Sequence, residues 1–230
     1  MHVPDGFLDA PTSIATGVVA TAAVAVALRG ARRELDDRTA PMAGLVAAFV
    51  FAAQMINFPV GAGTSGHLLG GALAAVLVGP FTGALCLAVV LLVQGLLFAD
   101  GGITALGTNI TLFSLVAVGA GWLVFRGLQL LLPRRLSSVP VAAGLAGLVS
   151  VPVTAVAFVA LFAAGGQAPV ALEPVLTAML GWHVLIGVGE ALITALVVSS
   201  VVAARPDLVH GARPLLATRG LEIRTAGVAA

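Results

Sequence analysis

The sequence predicts an all-α, polytopic membrane helical bundle with about seven transmembrane segments. The chain has 230 residues, of which 60% are hydrophobic and only 9% are charged, and its mean hydropathy is +1.12. A soluble domain carries roughly 25% charged residues, so this chain has too few charges to cover a water-facing surface. Several of its apolar runs also reach the length of about 20 residues that a helix needs to cross the hydrocarbon core.

Seven hydrophobic segments follow one another along the chain. They lie near Pro11–Leu28, Ala40–Phe58, Leu68–Val78, Phe81–Phe98, Ile103–Leu132, Val139–Ala164 and Val175–Ala204. The third is short for a membrane span, which indicates that it is tilted, partly buried in protein or re-entrant. The fifth begins with the glycine- and asparagine-containing stretch Gly102–Asn109, so we expect a regular helix only after that stretch.

The orientation prediction depends on the arginines, since the chain contains no lysine. They fall between the first two segments, between the fifth and sixth, and after the last (Arg29, Arg32, Arg33, Arg38; Arg126, Arg134, Arg135; Arg205, Arg213, Arg219, Arg224). With seven spans all three places lie on one face, and the opposite face carries only acidic charges, from Asp5, Asp9, Asp100 and Glu173. In membrane proteins the loops on the cytoplasmic side carry an excess of arginine and lysine. We therefore predict an N-terminus outside, a C-terminus in the cytoplasm and a location in the bacterial inner membrane.

Two regions are predicted: a membrane-embedded domain over 1–204 and a cytoplasmic tail over 205–230 with little structure. The N-terminal start is acidic and contains Pro4 and Gly6, unlike the basic start of a cleavable signal peptide. We expect it to belong to the mature protein. Met1 is expected to be retained, because methionine is normally removed only before small residues and His2 is large.

Several functional classes are disfavoured by what the sequence contains. A net charge of +1 gives no attraction to nucleic acid, and without a lysine the chain has no P-loop for ATP. The single cysteine, Cys86, lies in an apolar run and is expected to pack as a small hydrophobe. The common zinc-protease, Cys-x-x-Cys and serine-nucleophile motifs do not occur. We therefore predict that the protein is not an enzyme.

His2 is the most informative candidate ligand. The N-terminal amine, the His2 backbone nitrogen and the His2 Nδ1 can reach one divalent ion through a five- and a six-membered chelate ring. A fourth nitrogen would complete a square plane, which suits Ni(II) or Cu(II). Co(II) is a less ideal guest, and Zn(II), which prefers a tetrahedron, is disfavoured. The competing interpretation is an exposed histidine without a role.

His67 is the candidate for the fourth nitrogen. It ends the glycine-rich loop Gly61–His67 just before the third segment, on the face that carries the N-terminus, and Pro4 and Gly6 could bend the start back toward it. The alternative is a structural hydrogen bond at a helix start. Four polar residues nearby in the predicted topology are candidates to orient the histidines: Gln54, Asn57, Ser65 and Asn109.

His183 and Glu190 lie seven residues apart in the last segment, on one helical face. Ionisable groups at membrane depth are costly and are functional candidates. They support two further hypotheses, an autonomous secondary metal carrier or an intramembrane acid–base enzyme. The alternative is a structural contact between helices.

Five stretches together resemble one family. They are Met-His-Val-Pro-Asp-Gly-Phe-Leu at the start, Gln-Met-Ile-Asn-Phe-Pro from Gln54, Gly-Thr-Ser-Gly-His-Leu-Leu-Gly-Gly-Ala-Leu from Gly63, Gly-Ile-Thr-Ala-Leu-Gly-Thr-Asn from Gly102, and His-Val-Leu-Ile-Gly-Val-Gly-Glu from His183. In this order they are similar to the CbiM/NikM family, the substrate-binding membrane components of energy-coupling factor importers for cobalt and nickel. The resemblance extends to about Ala204.

The resemblance implies a function, a ligand set and partners. The transported ligand would be Co(II) or Ni(II), with no further cofactor. It would be held by the Met1 amine, the His2 backbone nitrogen and imidazole, and the His67 imidazole. The partners would be a transmembrane coupling protein, two cytoplasmic ATPase subunits and a small accessory membrane protein. We expect the accessory protein to be a separate chain, because no apolar span follows Ala204.

Overall fold

The structure, a computed structural model, describes residues 1–37, 39–61 and 64–217. Its helices are α1 Ala10–Glu34, α2 Ala40–Gln54, α3 Gly71–Val78, α4 Pro80–Leu97, α5 Leu106–Ile110, α6 Val118–Leu131, α7 Ser138–Gly165, α8 Leu172–Ala204 and α9 Arg213–Ala217. A π-helical segment, Thr111–Ala117, joins α5 to α6, and 3-10 turns occupy Pro206–Leu208 and His210–Ala212. The strands β1 Phe58–Gly61 and β2 Thr64–Gly66 form an antiparallel hairpin between α2 and α3.

Within the described residues, five helical stretches are long and apolar enough to cross a membrane. They are α1, α4, the continuous run Leu106–Leu131, α7 and α8. Their outer surfaces carry exposed large side chains such as Ile14 and Leu196, as lipid-facing helices do. The chain is thus a multi-pass, mainly helical membrane protein. The number of seven crossings and the orientation stay predictions.

The third hydrophobic segment is buried in protein. Helix α3 has only eight residues, and all eight are buried. It packs against α4, α6 and α7. Since its length of about 12 Å cannot cross the hydrocarbon core, surrounding helices complete the bundle around it. Of the three expectations for this segment, burial in protein is the one that the structure supports.

The β-hairpin was not predicted. The second segment was expected to be apolar as far as Phe58, but α2 ends at Gln54 and the chain turns into β1, with Phe58 opposite Gly66 and Pro59 opposite Ser65. Proline disfavours helical geometry in the residue before it, which stops the helix short of Pro59. Gly61 then takes a φ of +99°, a conformation that suits glycine at the turn.

The first part of the tail is more structured than its composition predicts. Val209 and Ala212 are buried, and the Gln129 side chain donates a hydrogen bond to the Gly211 carbonyl at 3.0 Å. A Cβ on Gly211 would lie 2.6 Å from the Phe125 ring, so glycine allows the tail backbone to close over that ring. The remainder of the predicted tail, 218–230, lies outside the described residues.

Candidate metal centre

The first nine residues fold back into the helical bundle. Gly6 has a φ of +73° and the Phe7 N–H donates to the Pro4 carbonyl, which confirms the predicted bend. Leu8 then bridges to Gly166 at the end of α7. As a result Met1 is fully buried, although it is the first residue of the chain.

Asn109 holds the N-terminal segment in place through Val3. Its Oδ1 accepts from the Val3 N–H at 2.8 Å, and its Nδ2 donates to the Val3 carbonyl at 3.1 Å. The Gly102 N–H donates to the same carbonyl at 2.9 Å. The Asn109 side chain therefore satisfies both backbone groups of Val3, next to the two candidate ligands.

The Met1 amine lies against the hairpin. It donates to the Ser65 carbonyl and, at 3.1 Å, to the Ser65 hydroxyl. Burial lowers the pKa of this amine from 8.0 to about 4, and the nearby Asp100 carboxylate opposes the shift only in part. At neutral pH the amine is therefore uncharged, with a lone pair available to a cation. Ser65, one of the predicted orienting residues, contacts the candidate ligand directly.

His2 and His67 stack on each other beside this amine. Their ring centroids are 4.4 Å apart, and both side chains are buried. The His67 Nδ1 donates to the Leu68 carbonyl at 2.8 Å, and the His2 Nδ1 donates to Asp100 Oδ1 at 2.9 Å. In both rings Nε2 is buried and has no hydrogen-bond partner among the described residues.

The electrostatics favour neutral imidazoles. Burial lowers the pKa of His67 well below 6.5, and the neighbouring amine and His2 lower it further. Burial also lowers the pKa of His2, against the opposing effect of its hydrogen bond to Asp100. Buried polar nitrogens without partners are unfavourable, and uncharged imidazole and amine nitrogens are the donors that divalent transition metals bind. The arrangement is therefore chemically suited to a metal cation.

Within the described part of the chain, no group of three or more His, Cys, Asp or Glu side chains is placed to bind a metal. The additional ligands from the N-terminus, which the chelate interpretation adds to His2 and His67, stay a prediction.

The structure adds Asp100, which sequence reasoning named only as an acidic loop residue. It follows Ala99, which has a φ of +53°, rare for a residue other than glycine. Its Oδ2 accepts from Asn57 Nδ2 at 3.3 Å, so Asn57, Asp100 and His2 form one chain of contacts. In this arrangement the His2 Nδ1 is paired with Asp100. To chelate through Nδ1, the imidazole must rotate away from that carboxylate.

Phe113 is the second residue that was not predicted. Its ring lies 5.2 Å from the His2 ring and 5.5 Å from the His67 ring, centroid to centroid. It belongs to the π-helical segment, and such segments often occur at functional sites. The fully buried ring confines both imidazoles on one side.

Two other predicted residues fix the backbone that carries His67. Glu190 accepts from the Leu69 N–H at 2.6 Å and from the Gly70 N–H at 2.9 Å. Gln54 donates to the Leu69 carbonyl at 2.7 Å. Leu69 is thereby held from opposite sides by α8 and α2, two residues after the candidate ligand. This contact is of the structural kind that the sequence offered as the alternative to a chemical role for Glu190.

His183 does not form a functional pair with Glu190 here. Its Nδ1 donates to the Met179 carbonyl, one turn back in α8, at 2.7 Å, whereas both Glu190 oxygens accept from the backbone before α3. The His183 side chain is buried, and its Nε2 has no hydrogen-bond partner among the described residues. His183 and Glu190 therefore have separate contacts.

Fold and site together describe a multi-pass helical membrane protein with a buried cluster of amine and imidazole nitrogens. A family model named CbiM, cobalt uptake substrate-specific transmembrane region, matches residues 2–208. The chain belongs to this family of cobalt and nickel transport proteins, which confirms the resemblance seen in the sequence. The family consists of metal transporter components and not of enzymes.

Individual relatives agree with this assignment. The chain is 41% identical over 210 residues to the putative fused nickel transport protein NikMN of Archaeoglobus fulgidus, covering 91% of this chain and 68% of that protein. It is 32% identical over 218 residues to the cobalt transport protein CbiM of Geobacter sulfurreducens, covering 90% of this chain and 61% of that one. The fold is similar to the crystal structure of a truncated transition metal transporter. That match has a TM-score of 0.81 and 29% identity, and covers 88% of this chain and 99% of the other.

Proposed function

We propose that this chain is the substrate-capture membrane component of an ATP-driven energy-coupling factor importer for Co(II) or Ni(II). The observation that carries the proposal is the buried cluster of the Met1 amine, His2 and His67. Burial lowers the pKa of all three groups, so the amine and both imidazoles are uncharged at neutral pH. Relatives named for nickel and for cobalt are both similar to this chain. The proposal therefore names Co(II) and Ni(II) as alternative substrates and does not choose between them.

The proposed ligands are the Met1 amine, the His2 backbone nitrogen, the His2 Nδ1 and the His67 Nε2. Four nitrogens in one plane suit Ni(II), and Co(II) is a less ideal but possible guest of the same site. The hydrogen bond from His67 Nδ1 to Leu68 fixes the tautomer that leaves Nε2 free, as partners of metal-binding histidines commonly do. Ionisation of the His2 amide releases a proton when the ion binds.

ATP hydrolysis belongs to partner subunits in this proposal, because the chain has no P-loop. The partners are a transmembrane coupling protein, two cytoplasmic ATPase subunits and a small accessory membrane protein.

The metal site faces outward, as the segregation of arginines suggests. This orientation is tested by single cysteines in a Cys86→Ala background. One in the loop 166–171 should react with an impermeant thiol reagent from outside and one at position 134 should not; the opposite pattern contradicts the orientation.

The competing function is an autonomous secondary carrier that uses His183 and Glu190. Their separate backbone contacts disfavour a shared relay between them. Uptake of radioactive nickel or cobalt decides the question in cells that lack other importers. We expect uptake when this chain is produced with its partner subunits and none when the ATPase subunits carry an inactive P-loop. Uptake by this chain alone would establish the carrier instead.

Glu190→Gln is expected to weaken metal binding at least about tenfold, the scale of about 1.4 kcal/mol. Glutamine keeps one oxygen but turns an amide N–H₂ toward a backbone N–H, so Leu69 or Gly70 loses its acceptor and the His67 loop shifts. Glu34 provides a matched control. It is also a buried carboxylate that accepts from two backbone N–H groups, those of Phe81 and Thr82, but at the start of α4.

Glu190→Gln and the control Glu34→Gln should both lower the melting temperature, because each leaves a buried donor without its acceptor. Only Glu190→Gln should change the affinity for Ni(II) measured by calorimetry on the purified protein. If the two variants have the same affinity as the unaltered chain, Glu190 does not position the metal loop.

A further inference from the structure

A cavity of about 290 Å³ lies far along the chain from the metal centre, where α6 ends and α7 begins. The short helix α9 closes one side of it. Its principal lining residues are Arg126, Gln129, Leu130, Arg134, Pro214 and Leu215. The cavity therefore combines two guanidinium groups with apolar walls.

The two arginines of this cavity lack an acidic partner in the described part of the chain. The arginine found there in an ion pair with a carboxylate is Arg205, whose partner is Asp207. Arg126 instead lies over the Trp122 ring, 5.8 Å from its centroid. Gln129 already donates to the Gly211 carbonyl. Among the residues that the structure describes, no acidic side chain is paired with the positive charge of the cavity.

The same cavity adjoins a lipid-facing surface. Leu130 and its neighbour Leu131 are 80% and 82% exposed, at the end of a helical run that is apolar enough to cross a membrane. Arg126 lies one helical turn before Leu130, about 6 Å along the axis. Trp122, a further turn back, is a residue type enriched where hydrocarbon meets headgroups. A cavity with these neighbours is suited to the region where hydrocarbon meets the lipid headgroups.

We propose that this cavity binds the headgroup of an anionic phospholipid. The phosphate diester would lie between Arg126 and Arg134, because guanidinium groups bind phosphate oxygens in pairs. The acyl chains would run along Leu130 and Leu131 into the bilayer. Basic pockets between membrane helices recognise acidic headgroups in this manner. A free phosphate ion would meet the same arginines but would leave the exposed leucines uncovered.

The test uses the full chain purified in neutral detergent, with native mass spectrometry counting bound lipid. Phosphatidylglycerol, phosphatidylcholine and inorganic phosphate are added separately. Phosphatidylglycerol should remain bound and raise the melting temperature, whereas the other two should do neither. The double variant Arg126→Gln/Arg134→Gln should bind phosphatidylglycerol on the order of tenfold more weakly.

Arg29→Gln/Arg33→Gln removes the same charge from exposed arginines of α1 and is the control. It should bind phosphatidylglycerol as the unaltered chain does. Equal weakening in both double variants would reduce the effect to net charge and overturn the site. Equal stabilisation by inorganic phosphate would assign the cavity to a free anion and overturn the lipid proposal. The outcome does not depend on the metal centre.

Discussion

One added residue before Met1 is expected to abolish metal uptake, whereas a tag after Ala230 should leave uptake unchanged. The proposed site uses the first nitrogen of the chain, and that nitrogen closes a five-membered ring with the His2 amide. An added residue moves the amine one position away. The chelate must then use a second ionised amide to reach the same histidine, which fills all four positions of the plane and leaves none for His67.

The surroundings of the amine strengthen this expectation. Met1 is fully buried and its amine donates to both oxygens of Ser65. An additional residue would have to displace the hairpin or enter the apolar interior with an unsatisfied peptide group, which is unfavourable. Uptake of radioactive nickel or cobalt, with the same partner subunits, compares the two tagged forms at equal membrane levels of protein. Equal uptake by both would exclude the N-terminal amine as a ligand.

Acetylation of the amine is the conservative version of this change. It adds no register shift but removes the basic lone pair, so binding of Ni(II) by purified protein should be lost. The ligand-field absorption that Ni(II) shows in a planar nitrogen site should therefore be absent after acetylation. A thermal melt of the metal-free acetylated protein shows whether the fold is retained. Retained binding after acetylation would contradict the proposal independently of any effect of a tag on transport.

The features predictable from sequence were those with a local signal. Long apolar runs predicted the helices that can cross a membrane. The short third run indicated a segment that is tilted, partly buried in protein or re-entrant, and the structure supports burial in protein. Pro4 and Gly6 predicted the bend that returns the chain to the bundle. In each case the residue types alone determine the result, because proline and glycine favour particular backbone conformations and long apolar runs favour a lipid environment.

The contacts that sequence reasoning missed are long-range and often involve the backbone. Glu190 accepts from Leu69 and Gly70, some 120 residues earlier, and every residue except proline offers the same N–H. No side-chain pattern could therefore name its partners. Asp100 was visible as an acidic loop residue, but its contact with His2 depends on the left-handed turn at Ala99. The π-helical placement of Phe113 follows from packing, since its segment reads as an ordinary apolar helix.

His67→Ala is expected to leave the protein folded and to weaken Ni(II) binding at least about tenfold, the scale of about 1.4 kcal/mol. The variant removes the Nε2 that the structure leaves buried without a partner, and with it the ring stacked on His2 and Phe113. A water molecule would replace the fourth nitrogen, so the absorption of the bound ion should shift to longer wavelength. His210→Ala is the control, because His210 lies in the tail against Trp122, away from the N-terminus. Calorimetry on both variants, with thermal melts of the metal-free forms, separates loss of a ligand from loss of the fold. If the His67→Ala variant binds Ni(II) as tightly as the His210→Ala variant does, His67 is not a ligand of the ion.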